Sequence, residues 1–549
     1  MACLAAALLL AVGGCATDEV TADFVWLIGA EPETLDPALL SGQPGGRVAR
    51  NIFEGLVFND PVDLTPQPGA ATAWEISEDG LTYTFHLREA AWSDGAPVTA
   101  HDFVYAWERV LNPATGSKYA NMLYPLEGAE AYNAGDLTDP SQLGVRALDD
   151  HTLEVRLHSP CAYFIDLCCF YTTLPVPRHL VEQYGEEWIK PENIAVNGPF
   201  LMTEWFLNRR IRLEKNPAYW DAQNVALNVV DCVPSDNINA NFNLYMSGVA
   251  DWGDASAVPQ YVVPELMERP DFHVAPYFAT YFYRFNVNRK PFDDVRVRKA
   301  LFLATDREAI VKYVTKAGQE PAHSLVPPGL PGYEEARLPE FNIEEAKRLL
   351  AEAGYPGGKN FPKCELLFNT SENHKQIAEV LQQQWKESLG IQIELVNQEW
   401  KVYLATTLAE DYWIARGSWI GDYLDPNTFL DMWTSENGNN RTGWKNKEYD
   451  ALIGRAARTV DVEERLRMLR QAEEQILNEE MIILPVYYYV TQNIWDPRDF
   501  EGLTGNLLNL VNLRSVKPLR GHRGVPRDRK LTDADMAQSG TVAAPGGAD

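Results

Sequence analysis

Ile377-Ala378-Glu379-Val380-Leu381-Gln382-Gln383-Gln384-Trp385-Lys386-Glu387-Ser388-Leu389-Gly390-Ile391-Gln392-Ile393-Glu394-Leu395 holds two hydrophobic periods in succession. Ile377, Val380, Leu381, Trp385 and Leu389 recur at steps of three and four, the spacing that lines one face of an α-helix. Gly390 follows, the residue type that most readily takes the left-handed conformation ending a helix. Ile391, Ile393 and Leu395 then alternate with Gln392 and Glu394, the period of a half-buried strand. A helix delivered directly into a strand is a unit of α/β architecture. The same periods recur on both sides. Thr82-Tyr83-Thr84-Phe85-His86-Leu87-Arg88 and Thr152-Leu153-Glu154-Val155-Arg156-Leu157-His158 read as strands. Phe103, Val104, Trp107 and Leu111 read as a helix behind an N-cap at Thr99 with Asp102 three residues on. Ala346, Leu349, Leu350 and Ala353 form another between Asn342 and Gly354, and Leu466, Leu469 and Ile476 mark a further one. The expected fold class is α/β.

The chain has 549 residues, 46% of them hydrophobic, enough for about two to four domains at ~100–200 residues each. Against 77 Asp and Glu stand 48 Lys and Arg, a net charge of −29. A surface so acidic is ill suited to neutralising phosphates or docking on anionic lipid, so nucleic acid is not an expected partner. The 15 Trp and 24 Tyr combine large area with a polar tip, which suits both core edges and ligand clefts. Leu4 to Val12 is apolar but too short to span a bilayer. It ends in Val12-Gly13-Gly14-Cys15 ahead of the polar Ala16-Thr17-Asp18-Glu19. This resembles a bacterial lipoprotein signal over residues 1–15 with a lipidated Cys15, although Met1-Ala2-Cys3 lacks the usual positive charge. A plain secretory signal is the alternative, and either way the chain is exported.

Beyond Cys3 and Cys15 the cysteines are Cys161, Cys168, Cys169, Cys232 and Cys364, an odd number that leaves at least one free thiol. Cys161 is a candidate to pair with Cys168 or Cys169, and the connectivity stays open. The nine His are scattered and no Cys/His spacing suits zinc, so no metal and no cofactor is expected. No nucleophile elbow, phosphate loop or dinucleotide fingerprint occurs. Gly354-Tyr355-Pro356-Gly357-Gly358-Lys359 has the wrong spacing for phosphate and reads as a helix-ending turn. Residues 523–549 read as a disordered tail, rich in Gly, Pro, Ala and charge without periodicity.

A run of motifs then carries a specific resemblance. Glu31-Pro32-Glu33-Thr34-Leu35-Asp36-Pro37 precedes Arg50-Asn51-Ile52-Phe53-Glu54-Gly55-Leu56, Ala91-Trp92-Ser93-Asp94-Gly95 and Asn197-Gly198-Pro199-Phe200. Glu214-Lys215-Asn216-Pro217, Asn397-Gln398-Glu399-Trp400-Lys401 and Trp419-Ile420-Gly421-Asp422-Tyr423 follow in the same order. From about residue 24 to 517 the chain resembles the periplasmic oligopeptide-binding proteins, the solute-binding subunits of ABC peptide importers. The resemblance implies a periplasmic-binding-protein type II-like fold, two hinged lobes plus an additional domain. Lobe I would comprise 18–53, 178–278 and 491–522, the additional domain 54–177, and lobe II 279–490.

It further implies a non-enzymatic, monomeric, lipid-anchored protein of the periplasm or cell surface. Such a protein captures short peptides between its lobes and delivers them to an ABC permease. Asp422 is the expected partner of the peptide ammonium; read alone, an Asp beside Gly and ahead of Asp425-Pro426 is a turn or cap residue. Trp400 and Trp419 match pocket-lining rings, and Arg416 and His374 match residues that meet the peptide carboxylate. Asn369 matches a pocket-water contact, and Tyr119 and the loop Ser41-Gly42-Gln43 match ligand contacts, the loop through its backbone. The chain also departs from the family. A Tyr-Tyr-Tyr-Glu segment reads Tyr281-Phe282-Tyr283-Arg284, a charge reversal, and a family Arg corresponds to Thr407. Ala279 and Ile420 stand where some members carry a Cys pair. Alternative readings are the same fold for a dipeptide, nickel chelate, oligosaccharide or cell-wall peptide, an exported peptidase, or a signalling or chaperone role.

The Val-Gly-Gly-Cys box predicts that Cys15→Ser releases the protein from membranes, because stable anchoring requires more than one acyl chain, each CH₂ contributing about 0.8 kcal/mol. Membrane fractionation of the two proteins checks it, and a mutant that sediments with membranes like wild type refutes lipidation at Cys15.

Overall fold

The computed structural model describes residues 21–519. The expected signal segment with Cys15 and the expected tail 523–549 lie outside the described residues. The main sheet has eleven strands. In chain order they are β1 (Phe24–Gly29), β2 (Phe200–Phe206), β3 (Arg210–Lys215), β4 (Val229–Pro234), β5 (Trp252–Gly253), β6 (Phe272–Phe285), β7 (Glu320–Pro321), β8 (Cys364–Asn369), β9 (Ile393–Gln398), β10 (Ile414–Ile420) and β11 (Ile483–Trp495). Their spatial order is β9-β8-β10-β6-β11-β5-β1-β4-β3-β2, with β7 pairing on β11. β8 runs parallel to both β9 and β10, and β1 parallel to β4, while β6 runs antiparallel to β10 and β11. This mixture of parallel and antiparallel pairs with helices between them is the α/β class expected.

β6 and β11 hold the sheet together. They pair antiparallel from Phe272↔Ile494 to Arg284↔Ile483, and so pass from one hydrophobic core into another. At one end Phe272 and Ile494 pack with Leu27, Tyr245 and Val263. At the other, Phe278, Tyr281, Ile483 and Leu484 pack with Trp385, Trp433 and Tyr449. A four-stranded antiparallel sheet of Ala71–Ile76, Thr82–Leu87, Thr152–Arg156 and Val145–Asp149 packs its Phe85, Leu153 and Val155 into one core with Phe24 and Trp26 of β1.

Helix starts follow the predicted chemistry. Of α1 (Gln43–Ile52) and α2 (Ala100–Leu111), the second opens on a capping box, the Thr99 N–H donating to Asp102 Oδ2 at 2.8 Å. α3 (Ile343–Glu352) is capped by Asn342, whose Oδ1 accepts from Glu345 N at 3.1 Å. α4 (Glu372–Leu389) ends at Gly390, φ 71°, as its pattern demanded. The following strand begins two residues later than the alternation suggested. The Ile391 N–H donates to Trp385 O at 3.3 Å and completes the helix end, so β9 starts at Ile393.

The Leu35-Asp36-Pro37 motif has a structural role. Asp36, 3% exposed, accepts two 2.6 Å bonds from Arg109 of α2 and one of 3.0 Å from Trp188 Nε1. It thereby ties the loop after β1 to the helix beside the smaller sheet. The possible pairing of Cys161 with Cys168 or Cys169 does not form. All five cysteines from Cys161 onward are buried free thiols, and a helical turn, Phe164–Leu167, separates the first from the others. Burial pushes the Cys161 thiol up to about 12, which withholds the thiolate that disulfide exchange requires.

Asp36→Ala leaves Arg109 charged and partly buried without its partner, so urea unfolding is expected to show a loss of about 3 kcal/mol. Asp36→Leu combined with Arg109→Met is expected to recover most of that loss, since no unpaired charge remains.

Candidate functional site

The site is built where β10 ends. Gly421 donates to Phe278 O at 2.8 Å, and a Cβ there would lie 2.2 Å from the Phe278 ring, so only glycine fits. The chain bends at this point and presents Asp422. The Asp422 N–H donates to Thr428 Oγ1 at 3.2 Å, which also accepts from Trp419 Nε1 at 3.3 Å. The neighbouring acid is fully committed. Asp425 Oδ1 accepts from Asn427 N at 2.9 Å, and the carboxylate takes two 2.7 Å bonds from Arg465. Asp425 is therefore the turn residue of this stretch. Among the described residues no cation pairs with the Asp422 carboxylate, which opens onto two cavities.

The first cavity, about 350 Å³, is lined by Gly42, Gln43, Arg50, Tyr119, Tyr277 and Ile420 among others. Gly42 has φ 86°, a turn that a side chain would strain, and Gln43 Nε2 donates to Tyr277 OH at 3.1 Å. Ser41 stands just outside and accepts from Lys118 at 3.1 Å. The second cavity, about 320 Å³, is polar, with Trp419, His158, Asp431, Asn437 and Asn439 on its walls. Burial alone pushes the Asp422 carboxyl up to about 6. Asp431 is pushed to about 7 by burial first and then by the charges of Asp422 and Asp425.

Four of the expected residues lie away from these two cavities. Arg416 sits along β10 with its guanidinium 4.7 Å from the Tyr281 ring centre and Nη2 donating to Tyr489 OH at 2.7 Å. His374, in the first turn of α4, places Nδ1 3.4 Å from Tyr281 OH. Burial first, and then the Arg416 charge, hold its imidazole down at about 3, so it is neutral at ordinary pH. Trp400 begins α5 (Trp400–Leu408), is 49% exposed and stacks on Tyr403 at 5.7 Å. Asn369 closes β8 opposite Gln398, its amide oxygen buried without a partner. Ala279 and Ile420 stand directly opposite one another, and Thr407 is buried under Arg441 at 3.1 Å.

Arg47, Arg50, Tyr171 and Tyr277 also line the first cavity, and Asp431 the second; sequence reasoning did not single them out. Arg47 and Arg50 are three apart on α1, one helical face just after the Ser41-Gly42-Gln43 loop, which is the signal that could have found them. Arg47 pairs with Asp254 at 2.5 Å, and Arg50 donates to Cys169 O while lying over the Phe170 and Tyr171 rings. From Arg416 to Ile420 the strand rises about 13 Å, so an unpaired carboxylate and a guanidinium bracket the length of about four extended residues. Among the described residues no group of three or more His, Cys, Asp or Glu is placed to hold a metal.

The family profile of the bacterial extracellular solute-binding proteins, family 5 Middle, matches residues 65–441. The chain belongs to this family. The periplasmic oligopeptide-binding protein OppA of Salmonella typhimurium is 40% identical over 484 residues, covering 85% of this chain and 87% of the relative. The oligopeptide-binding protein OppA of Bacillus subtilis is 38% identical over 496 residues, 88% of this chain and 89% of the relative. Among solved structures, the murein-tripeptide-binding protein MppA in its unliganded open form superposes with a TM-score of 0.81 at 34% identity, covering 90% of this chain and 97% of MppA. Haemophilus influenzae OppA in complex with RPPGFSPFR gives 0.72 at 34% identity, covering 90% and 99%. The fold is thus the two-lobed periplasmic-binding-protein type II-like architecture of this family, an extracytoplasmic solute-binding class.

A carboxyl near 6 in the folded chain and at its ordinary 3.8 when unfolded makes the folded state the stronger proton binder between those values. Stability contributed by this group therefore falls as pH rises from about 4 to 6 and stays lowered above that. Asp422→Asn is expected to raise ligand-free stability by about 1–2 kcal/mol at pH 8 and to leave it unchanged near pH 3.5. Urea melts across that range test it.

Proposed function

We propose that the protein captures short peptides in the cleft between its lobes and delivers them to an ABC permease for import. The observation that carries this reading is the Asp422 carboxylate, which no cation among the described residues pairs with, at the end of β10 where two cavities meet. A carboxylate kept short of solvent and of any counter-charge is matched by an ammonium that brings its own positive charge. A free peptide carries that group at one end and a carboxylate at the other. Arg416, with neutral His374 beside it, supplies the second charge. Tyr119, Gly42 and Gln43 line the first cavity with Asp422, with Ser41 at its edge, while Trp419, Trp400 and Asn369 serve the side chains. The OppA relatives are named for oligopeptides, and one is solved with a nine-residue peptide.

The finer assignments belong to the same proposal. The segments 18–53, 178–278 and 491–522 form one lobe, 279–490 the other, and 54–177 an additional domain. Closure is a hinge motion at the crossing strands. The mature chain is a monomer, lipid-anchored through Cys15, and binds without catalysing.

Removing the carboxylate opposite a buried ammonium costs about 3–5 kcal/mol, which is about a hundredfold or more in Kd. Asp422→Asn is expected to lose that affinity for tripeptides with a free amino terminus. N-acetylated tripeptides are expected to bind wild type weakly and to be indifferent to the substitution. Calorimetry on the four combinations forms a double-mutant cycle. Equal weakening of free and acetylated peptides would make Asp422 a structural residue and refute the assignment.

A further inference from the structure

The sheet carries a second charged feature on the face away from Arg416. Successive residues of a strand point to opposite faces. β6 and β10 pair as Thr280↔Trp419, Phe282↔Gly417, Tyr283↔Arg416 and Arg284↔Ala415. Arg284 and Phe282 therefore share the face of Trp419, and Arg416 lies on the other. On that shared face Ala415 packs with Leu367, Tyr403 and Tyr412, so α5 lies over it. Arg441 reaches in from the far side, its Nη1 donating to Thr407 Oγ1 of α5 at 3.1 Å.

Arg284 is 6% exposed, its Nε is buried without an acceptor, and among the described residues no carboxylate pairs with it. The Arg441 Nε is likewise buried and unpartnered. Several other arginines of this acidic chain are paired with acids, while the buried Arg416 donates to Tyr489 OH. Arg109 has Asp36, Arg465 has Asp425, and Arg514 has Glu54 at 2.9 Å. Arg298, which lies 3.7 Å from Glu480, and Arg307 donate to backbone carbonyls. Arg284 instead has the Phe282 ring at 5.4 Å and the hydroxyl-bearing rings of Tyr403 and Tyr412. Burial, with the like charges of Arg441 and Arg416 adding to it and the two tyrosines opposing, pulls its guanidinium below the ordinary arginine range. The nearby acid Glu410 acts on Tyr412. A buried cation beside a second cation is costly unless an anion joins them.

We propose that Arg284 and Arg441 form a subsite for a carboxylate of the bound ligand, on the sheet face that carries Trp419. The proposal rests on the peptide reading of the cleft and gives it a specificity, peptides with an acidic group toward their carboxyl end. Ala415, the partner of Arg284, lies about 13 Å along β10 from Trp419, on the side away from Asp422. An extended peptide anchored by its ammonium at Asp422 therefore brings a later residue to the two arginines. The carboxylate is supplied by an Asp or Glu side chain or by the peptide terminus.

The test uses tetra-alanines carrying Glu or Gln in turn at the second, third and fourth positions, each as free acid and as carboxyl-terminal amide. They are titrated into wild type, Arg284→Met, Arg441→Met and Arg284→Lys. At one position Glu is expected to bind wild type about tenfold more tightly than Gln, the size of one charge-assisted hydrogen bond. That preference is expected to vanish in both Met variants and to survive in part in Arg284→Lys. Persistence of the preference in the amides assigns the side chain as the anion. If Glu and Gln bind alike but amidation weakens wild type and not Arg284→Met, the anion is the terminus. Equal binding of all the peptides, or a preference unchanged in Arg284→Met, overturns the subsite. Should no peptide bind, the peptide reading falls and glutarate alone reads the subsite by thermal melting. A rise in Tm for wild type that is absent from Arg284→Met upholds it, and no rise overturns it.

Discussion

Everything in this molecule hangs on the antiparallel pairing of β6 with β11. These are its longest strands, 14 and 13 residues, and their ladder runs out of one hydrophobic core and into another. Main-chain hydrogen bonds of this kind are directional and obligatory once buried, so the two cores are coupled through backbone. The ladder is not uniform. Its register shifts between Pro276 and Thr280, and the Phe278 N–H turns away to Leu507 O at 2.8 Å. Proline has no N–H to give the ladder, and the break falls just where the Phe278 carbonyl receives Gly421. The irregular stretch of the longest strand and the bend that presents Asp422 are one structural feature.

The second organising force is the uneven treatment of charge. A chain with a net charge of −29 has every opportunity to pair its arginines, and most buried ones are paired or bonded to carbonyls. Asp36, Asp254 and Asp425 are each consumed in this way. Their pairings knit α1, α2 and the segment after β10 into the rest of the fold. Against that background Asp422, with no cation paired to it among the described residues, and Arg284 and Arg441, which like Arg416 have no acid among them, stand out. Leaving a charge underserved costs stability, and folds concentrate such costs at the places where a ligand completes the arrangement. Asp422 just past one end of β10, and Arg284 opposite Ala415 near the other with Arg441 acting on it, give the strand a polarity along its length.

The aromatic residues connect these two themes. Tyr163 stacks on Tyr423 at 4.5 Å beside the cavity that Asp422 and Asp431 line, and Tyr281 on Tyr487 at 4.8 Å beside Arg416. Rings of this kind exclude water while their hydroxyls accept or donate locally, so they lower the local dielectric without leaving polar atoms stranded. That is why burial is the largest influence on the carboxyls of both Asp422 and Asp431.

The sequence by itself determined the local elements and their class. The i, i+3, i+4 pattern ending in Gly390, the Thr99 box and the Asn342 cap all depend on residues within a few positions of one another. It could also point to Asp422, Trp419 and Gly42 by resemblance, because their motifs are contiguous. It misplaced the start of β9, where the helix end captures Ile391, and left open a cysteine pairing that the buried thiols do not make. Only the tertiary structure decided which acid of the Asp422–Asp425 stretch is free, because the answer lies with Arg465, 40 residues away from Asp425. Only it placed Arg47, Arg50 and Asp431 around the cavities and set Arg284 on the opposite face from Arg416. Strand register decides that last point, and register follows from which buried face each strand presents to its neighbours rather than from any property of the arginine itself.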